Sequence, residues 1–149
     1  MTTTTTHDAL ISTFGRLVEA YNVLERPLGQ ILERDCGIPH SWFEVMLRLR
    51  RSEDTRMTMG ELAEQITLTT GGVTRLIDRM QSAGYVERRP CPTDRRVSFA
   101  TLTSAGLAKL EAAAEVHAKS LEDVFADFTR DELATFDQML DRLRRSSTA

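Results

Sequence analysis

The chain has 149 residues, of which 41% are hydrophobic, and a formal net charge of −3 at neutral pH. This size fits one folded domain, or one domain with an appended interaction element, and leaves little room for separate modules. No stretch approaches the roughly 18 apolar residues of a membrane span, and the threonine-rich start lacks the charge and apolar run of a signal peptide, so we expect a cytoplasmic protein without membrane contact.

The charge is distributed unevenly along the chain. Residues 1–68 and residues 97–149 each carry a net charge of −3, whereas residues 69–96 hold six arginines and three acidic residues, a net charge of +3. Electrostatic attraction is screened within about 10 Å at ordinary salt, so the local field matters more than the total. The middle of the chain is therefore suited to an anionic partner.

The first predicted elements are a disordered tail, residues 1–7, and a long amphipathic helix. Pro27 predicts a kink or break of this helix near Arg26. Gly37 is typical of a helix end, and a second helix is predicted from about Ser41 to Arg51. The long helix is predicted from apolar residues at steps of three and four: Ile11, Phe14, Val18, Tyr21, Leu24, Leu28 and Ile31.

Two short helices follow in the pattern of a helix-turn-helix. Thr58 and Glu61 have the spacing of a capping box, and the first short helix is predicted to reach about Gln65. The threonine hydroxyls within residues 67–70 can cap the second, which Gly84 ends. Its inward face is predicted to contain Val73, Leu76, Ile77 and Met80.

A β-hairpin and two further helices complete the pattern. Alternating segments at 85–89 and 96–102 flank a turn, and capping residues at Thr103 and Thr129 begin the last two helices. The predicted fold class is mainly α, a winged helix-turn-helix with a two-stranded β-wing and terminal dimerisation helices. We assign residues 39–103 to the DNA-binding lobe and residues 8–38 and 104–149 to dimerisation, because the apolar stripes of the outer helices are broad for so small a lobe.

The second helix of a helix-turn-helix can lie in the major groove of DNA. Arg75 can donate two hydrogen bonds to a guanine edge, and Arg79, Arg88 and Arg89 are expected to neutralise phosphates. Glycine is disfavoured in a helix by up to about 1 kcal/mol, so Gly71 indicates close approach to DNA or, alternatively, tight packing on a neighbouring helix. The predicted outer face comprises Thr69, Thr70, Gly71, Thr74, Arg75 and Arg79.

The segments 73–80, 84–88, 92–96 and 102–106 resemble the signature of the multiple-antibiotic-resistance regulator (MarR) family, and the match covers about residues 41–106. The resemblance implies a triangular homodimer in which the first and last helices of the two subunits intertwine. It also implies that Arg96 enters the minor groove while Asp94 holds it in position, with Arg95 beside them. A surface ion pair that only stabilises the turn is the alternative, worth at most about 1 kcal/mol.

The resemblance also implies release by a small phenolic or aromatic effector. Tyr21, His40, Trp42 and Phe43 could line its site, but aromatic residues on apolar helix faces usually pack in a core, so no effector residue is assigned. The predicted function is that of a double-stranded DNA-binding transcription regulator, a repressor, acting as a homodimer on a pseudo-palindromic operator. The alternative is a winged-helix protein-interaction module without DNA binding.

The remaining side chains predict neither a metal site nor catalysis. The histidines lack metal-ligand spacing, and the sequence has no phosphate-binding glycine loop or nucleophile motif, so we expect no enzyme and no cofactor. Cys36 and Cys91 have no C-x-x-C spacing and are predicted to be free thiols. Asp35 disfavours a Cys36 thiolate, whereas Arg89 and Arg95 favour one at Cys91.

Overall fold

The structure, a computed structural model, describes residues 2–66 and 70–146. Its helices are α1 (Thr2–Cys36), α2 (His40–Arg51), α3 (Met59–Gln65), α4 (Thr70–Ser82), α5 (Ser104–Val124) and α6 (Arg130–Ser146). The strands β1 (Arg56–Thr58), β2 (Val86–Pro90) and β3 (Ser98–Leu102) form an antiparallel sheet in the order β1-β3-β2. The mainly α winged-helix prediction is confirmed. The chain divides into two compact units between His117 and Ala118, inside α5.

The sheet has one strand more than the sequence predicted. In the hairpin, Val86 lies opposite Leu102 and Pro90 opposite Ser98, while Met57 of β1 lies opposite Ala100 on the other edge of β3. Because β1 is only three residues long, its alternation of exposed and buried positions is too short to recognise as a period of two. Among the described residues, no helix is long and apolar enough to cross a membrane.

The core of the first unit lies between the helix-turn-helix, the sheet and the beginning of α5. The predicted inward-facing residues Val73, Ile77 and Met80 of α4 are fully buried. On α2, Phe43 is buried, as expected for an aromatic residue on an apolar helix face, whereas Trp42 is only half-buried. The core also contains Leu32, Ile38, Val45, Met46, Leu49, Met57, Leu62, Val86, Ala100, Leu102, Leu110 and Ala113.

Helix α1 differs from its prediction in two respects. It begins at Thr2, so the prediction of a disordered tail over residues 1–7 is wrong for the described part, and it continues through Pro27. Threonine is only a moderately poor helix former, and extending an existing helix adds one hydrogen bond per residue. Pro27 removes the partner of the Val23 carbonyl, but Val23 is exposed, so water can hydrogen-bond that group.

The capping residues predicted at Thr58 and Thr129 act as expected, whereas the caps predicted over residues 67–70 lie outside the described side chains. Thr58 and Glu61 form a reciprocal capping box at the start of α3, and Thr129 and Glu132 do the same before α6. Gly84, at the end of α4, has a φ of 85°, a backbone conformation that side-chain-bearing residues rarely adopt. These local hydrogen bonds and turns set where the helices begin and end.

Helix α5 docks on the turn between α4 and β2. The Thr103 amide donates to the Tyr85 carbonyl (3.1 Å), and the Thr103 hydroxyl donates to the Gly84 carbonyl (2.6 Å) while accepting the Gly106 amide (3.0 Å). A Cβ atom on Gly106 would lie 2.1 Å from the Tyr85 carbonyl oxygen and 2.8 Å from Leu102 Cδ1. Only glycine fits at this contact.

We predict that Gly106→Ala lowers the free energy of unfolding by about 1–3 kcal/mol, because backbone and core atoms must move to admit the methyl group. Urea unfolding measures the effect. Gly60→Ala is the control: its Cβ would meet only the Thr58 hydroxyl, at 4.0 Å, so alanine should leave stability unchanged or raise it by up to about 1 kcal/mol. Equal stability of the two variants would contradict the docking argument.

Candidate nucleic-acid interface

The outer face of α4 presents the predicted contact residues that the structure describes. Arg75 and Arg79 are exposed, because the buried residues of α4 lie on its other side. The position of a Cβ on Gly71 lies 3.6 Å from Nη1 of Arg75, so the guanidinium extends back over the first turn of the helix. Gly71 is also exposed, and among the described residues no other helix lies within 4 Å of its Cβ position, which favours close approach of a partner over helix packing.

The threonines of the predicted face are described incompletely. Thr69 lies outside the described residues, and Thr70 begins α4 without a description of its side chain. Thr74 is half-buried, and its carbonyl accepts a hydrogen bond from Arg88. The predicted contacts of these residues with DNA stay predictions.

The tip of the wing is a closed turn that orients Arg96. The Cys91 amide donates to the Val97 carbonyl (2.9 Å), and the Val97 amide donates to the Asp94 carbonyl (3.1 Å). The Asp94 carboxylate accepts hydrogen bonds from the Arg96 amide (3.0 Å) and from Arg96 Nε (3.2 Å). The Arg96 side chain nevertheless remains 90% exposed, so its guanidinium is held at one end and open to a partner.

Ion pairs neutralise the acidic side chains of residues 69–96, the central block. Asp78 pairs with Arg88, Glu87 with Arg89, and Asp94 with Arg96. The other three arginines of the block, Arg75, Arg79 and Arg95, are exposed and form no ion pair with another described residue. The net charge of +3 therefore belongs mainly to α4 and the tip of the wing.

Arg88 is placed differently from the other arginines of the wing. Its guanidinium lies against α4, where Nη2 donates to the Thr74 carbonyl (3.0 Å) and to the Asp78 carboxylate. Its backbone amide donates to Oε1 of Gln81 (3.0 Å). Sequence reasoning did not identify Gln81, and it treated Asp78 only as a charge; the only available signal was their spacing of three residues on α4.

The aromatic residues suggested for an effector do not line one cavity. Phe43 is in the core, Trp42 packs edge-on against Tyr85 (6.1 Å between centroids), and Tyr21 is 55% exposed. His40 lines an open groove between α1 and α2 whose other residues include Glu25, Arg26 and Glu33. The predicted effector thus has no assigned site.

Cys36 and Cys91 are both free thiols. Hydrogen bonds from the side chain and amide of Thr93, and from the Asp94 amide, lower the pKa of the Cys91 thiol. The sequence predicted the same direction at Cys91 from Arg89 and Arg95, which is a different cause. Across residues 2–66 and 70–146, no three histidine, cysteine or acidic side chains form a group that could hold a metal ion.

We predict that the Asp94–Arg96 pair persists below the ordinary titration range of an aspartate. The hydrogen bonds from the Arg96 amide, and then from its guanidinium, hold the pKa of Asp94 below its usual value. The pair is therefore complete above the unfolded pKa and is lost as pH falls through the lower folded pKa. The Arg96 amide shift in NMR should titrate with that low midpoint and lose the step in Asp94→Asn; a midpoint at or above the ordinary value would contradict it.

Comparison with known proteins relates the chain to transcription regulators. Residues 37–97 match the model of the MarR family. The chain is 30% identical over 131 residues to the multiple antibiotic resistance protein MarR of Escherichia coli, a match covering 87% of this chain and 89% of that protein. It is 27% identical over 107 residues to the E. coli regulator PapX, covering 72% of this chain but only 65% of PapX, slightly less than two thirds.

The fold gives the same relationship. The structure of Sco3205, a MarR family transcriptional regulator from Streptomyces coelicolor in complex with DNA, superposes with a TM-score of 0.78 at 28% identity. The superposition covers 91% of this chain and 85% of Sco3205. These related proteins are transcriptional regulators and not enzymes. The chain belongs to the MarR family of transcriptional regulators.

Proposed function

We propose that this protein is a transcription repressor that binds double-stranded DNA as a homodimer in the cytoplasm. The observation that carries the proposal is the exposure of Arg75 and Arg79 on α4 together with the 90% exposed Arg96 at the wing tip. Helix α4 enters the major groove, where Arg75 reads a guanine edge. Arg96, oriented by Asp94, enters the adjacent minor groove, whose negative potential attracts arginine.

The other cations of the surface support this role. Arg79 and Arg95 are exposed without an ion pair to a described residue, so they are available to phosphates. Arg89 is 65% exposed and pairs with Glu87, which is 53% exposed, so a phosphate can replace this contact. Thr70 and Thr74 of α4, and Thr69 just before it in the sequence, remain candidates for phosphate or thymine contacts.

The outer helices support a dimer. Every residue of α1 from position 6 to position 23 is exposed, although helices in proteins owe most of their stability to packing of an amphipathic face. An apolar stripe on this segment, at Leu10, Ile11, Phe14, Leu17, Val18 and Tyr21, is 36–70% exposed. In α6, Phe136, Met139, Leu140 and Leu143 are 38–55% exposed. We propose that a second copy of the chain covers each of these surfaces.

Regulation completes the proposal. A small aromatic or phenolic molecule that changes the separation of the two α4 helices would release the protein from its operator, because a dimer binds only half-sites whose spacing matches its own geometry. The sequence resemblance is the support for this step. No cavity described above favours a particular effector.

The DNA test begins with selection from a pool of random duplexes, followed by titration with salt. We expect enrichment of two inverted half-sites about one helical turn apart and a log–log salt slope of about −0.9 for each phosphate contacted. Arg75→Ala should weaken binding about 5- to 150-fold at one base pair of each half-site and relax specificity there. Arg96→Ala should weaken binding to A·T-rich flanks.

Arg130→Ala is the matched control, because it removes the same charge from the first residue of α6, outside the central block. It should leave affinity and specificity unchanged. If no sequence is enriched and Arg96→Ala binds like the parent, the DNA-binding proposal is wrong and a protein-interaction module becomes the better explanation.

The dimer test places a charge on the exposed stripe of α1. Phe14→Asp should shift the protein to monomer in sedimentation equilibrium, because a carboxylate cannot be buried unpaired. Ser12→Asp adds the same charge about 160° away around the helix and should remain dimeric. A monomeric parent, or dimers of equal stability in both variants, would refute this interface.

A further inference from the structure

Arg88 is less exposed than two other arginines of the wing. Its side chain is 30% exposed, whereas the side chains of Arg89 and Arg96 are 65% and 90% exposed. Its Nε is buried and has no hydrogen-bond partner among the described residues. A guanidinium in this position faces the protein and not the solvent.

Arg88 joins the wing to α4 at three positions. Its guanidinium binds the Thr74 carbonyl and the Asp78 carboxylate, and its amide binds the Gln81 side chain. Residues 74, 78 and 81 are spaced by four and three, so they lie on one face of α4. Strand β2 is therefore attached along nearly two turns of this helix.

Asp78 places a negative charge on α4. A carboxylate on a helix that approaches DNA repels phosphates, yet Asp78 is 59% exposed on α4. Charge-assisted hydrogen bonds between arginine and carboxylate are among the stronger polar contacts. If Arg88 turned outward to a phosphate, Asp78 would be left unpaired beside the same DNA. The arrangement favours Arg88 remaining on α4 when DNA is bound.

We propose that Arg88 is a positioning residue that fixes the wing relative to α4, through Asp78 and Gln81, and does not itself contact DNA. This inference rests on the proposed function and changes the role predicted for Arg88 from its charge alone. The relative placement of α4 and the wing tip must match the spacing of a major and a minor groove. A wing free to move independently would lose part of that match before every binding event.

The direction in which Asp78→Asn changes DNA affinity distinguishes two roles for Asp78. If Asp78 acts only as a negative charge near DNA, its removal should raise affinity. If it holds Arg88, the variant should bind about five- to fiftyfold more weakly. Arg88→Ala should show a similar loss, and the double variant should be no worse than the more affected single variant, because both remove one contact.

The salt slope separates a positioning residue from a phosphate contact. Arg88→Ala should keep the slope of the parent, whereas Arg89→Ala, the neighbouring control on β2, should make the slope shallower by about 0.9. Arg88→Lys keeps the charge but cannot form the same fork, so it should bind weakly too. If Arg88→Ala does not fold, Arg88→Lys and Asp78→Asn still test the proposal. All affinities are measured well below the melting temperature of each variant.

A DNA-free readout keeps this inference distinct from the proposed function. In the free protein, 15N relaxation should give lower amide order parameters for residues 91–97 in Arg88→Ala and Asp78→Asn, and unchanged values in Arg89→Ala. Failure of the parent to bind DNA would refute the proposed function without affecting this measurement. Tighter binding by Asp78→Asn, or a shallower salt slope with unchanged order parameters in Arg88→Ala, would overturn the positioning role.

Discussion

The arrangement of the first unit depends on the contact between α5 and the turn that contains Tyr85. The Tyr85 carbonyl accepts the Thr103 amide and touches the backbone of Gly106, so two helices and a strand meet at one peptide group. The Tyr85 ring extends this contact, packing edge-on against Trp42 of α2 and lying below Lys109 Nζ at 5.8 Å. Because Lys109 also donates to the Cys36 carbonyl (3.0 Å), the end of α1 is tied to the same place.

Local neutralisation explains how an acidic chain can present a cationic surface. Each acidic residue of the central block forms an ion pair with an arginine, and the remaining arginines lie on the exposed side of α4 and at the wing tip. Net charge alone would have argued against nucleic acid, whereas the pairing of individual groups argues for it.

Much of the fold could be predicted because its signals are local. The capping boxes at Thr58 and Thr129 and the positive φ at Gly84 require only a few neighbouring residues. Tertiary context decided the rest. Strand β1 exists because β3 offers it a free edge, and the effect of Pro27 depends on solvent reaching the Val23 carbonyl. The position of Arg88 depends on Asp78 and Gln81, ten and seven residues away, and composition cannot distinguish it from Arg89.

The continuity of α1 has a mechanical consequence. A helix of 35 residues is about 50 Å long, and its last turns are anchored in the core through Leu32 while its first two thirds project beyond that core. It is therefore a lever: a tilt of about 5° at the anchored end displaces the far end by about 4 Å. Because α1 continues through Pro27 as one helix, such a displacement would be transmitted to whatever its far end contacts. Small repacking beneath Leu32 would thereby be amplified along α1.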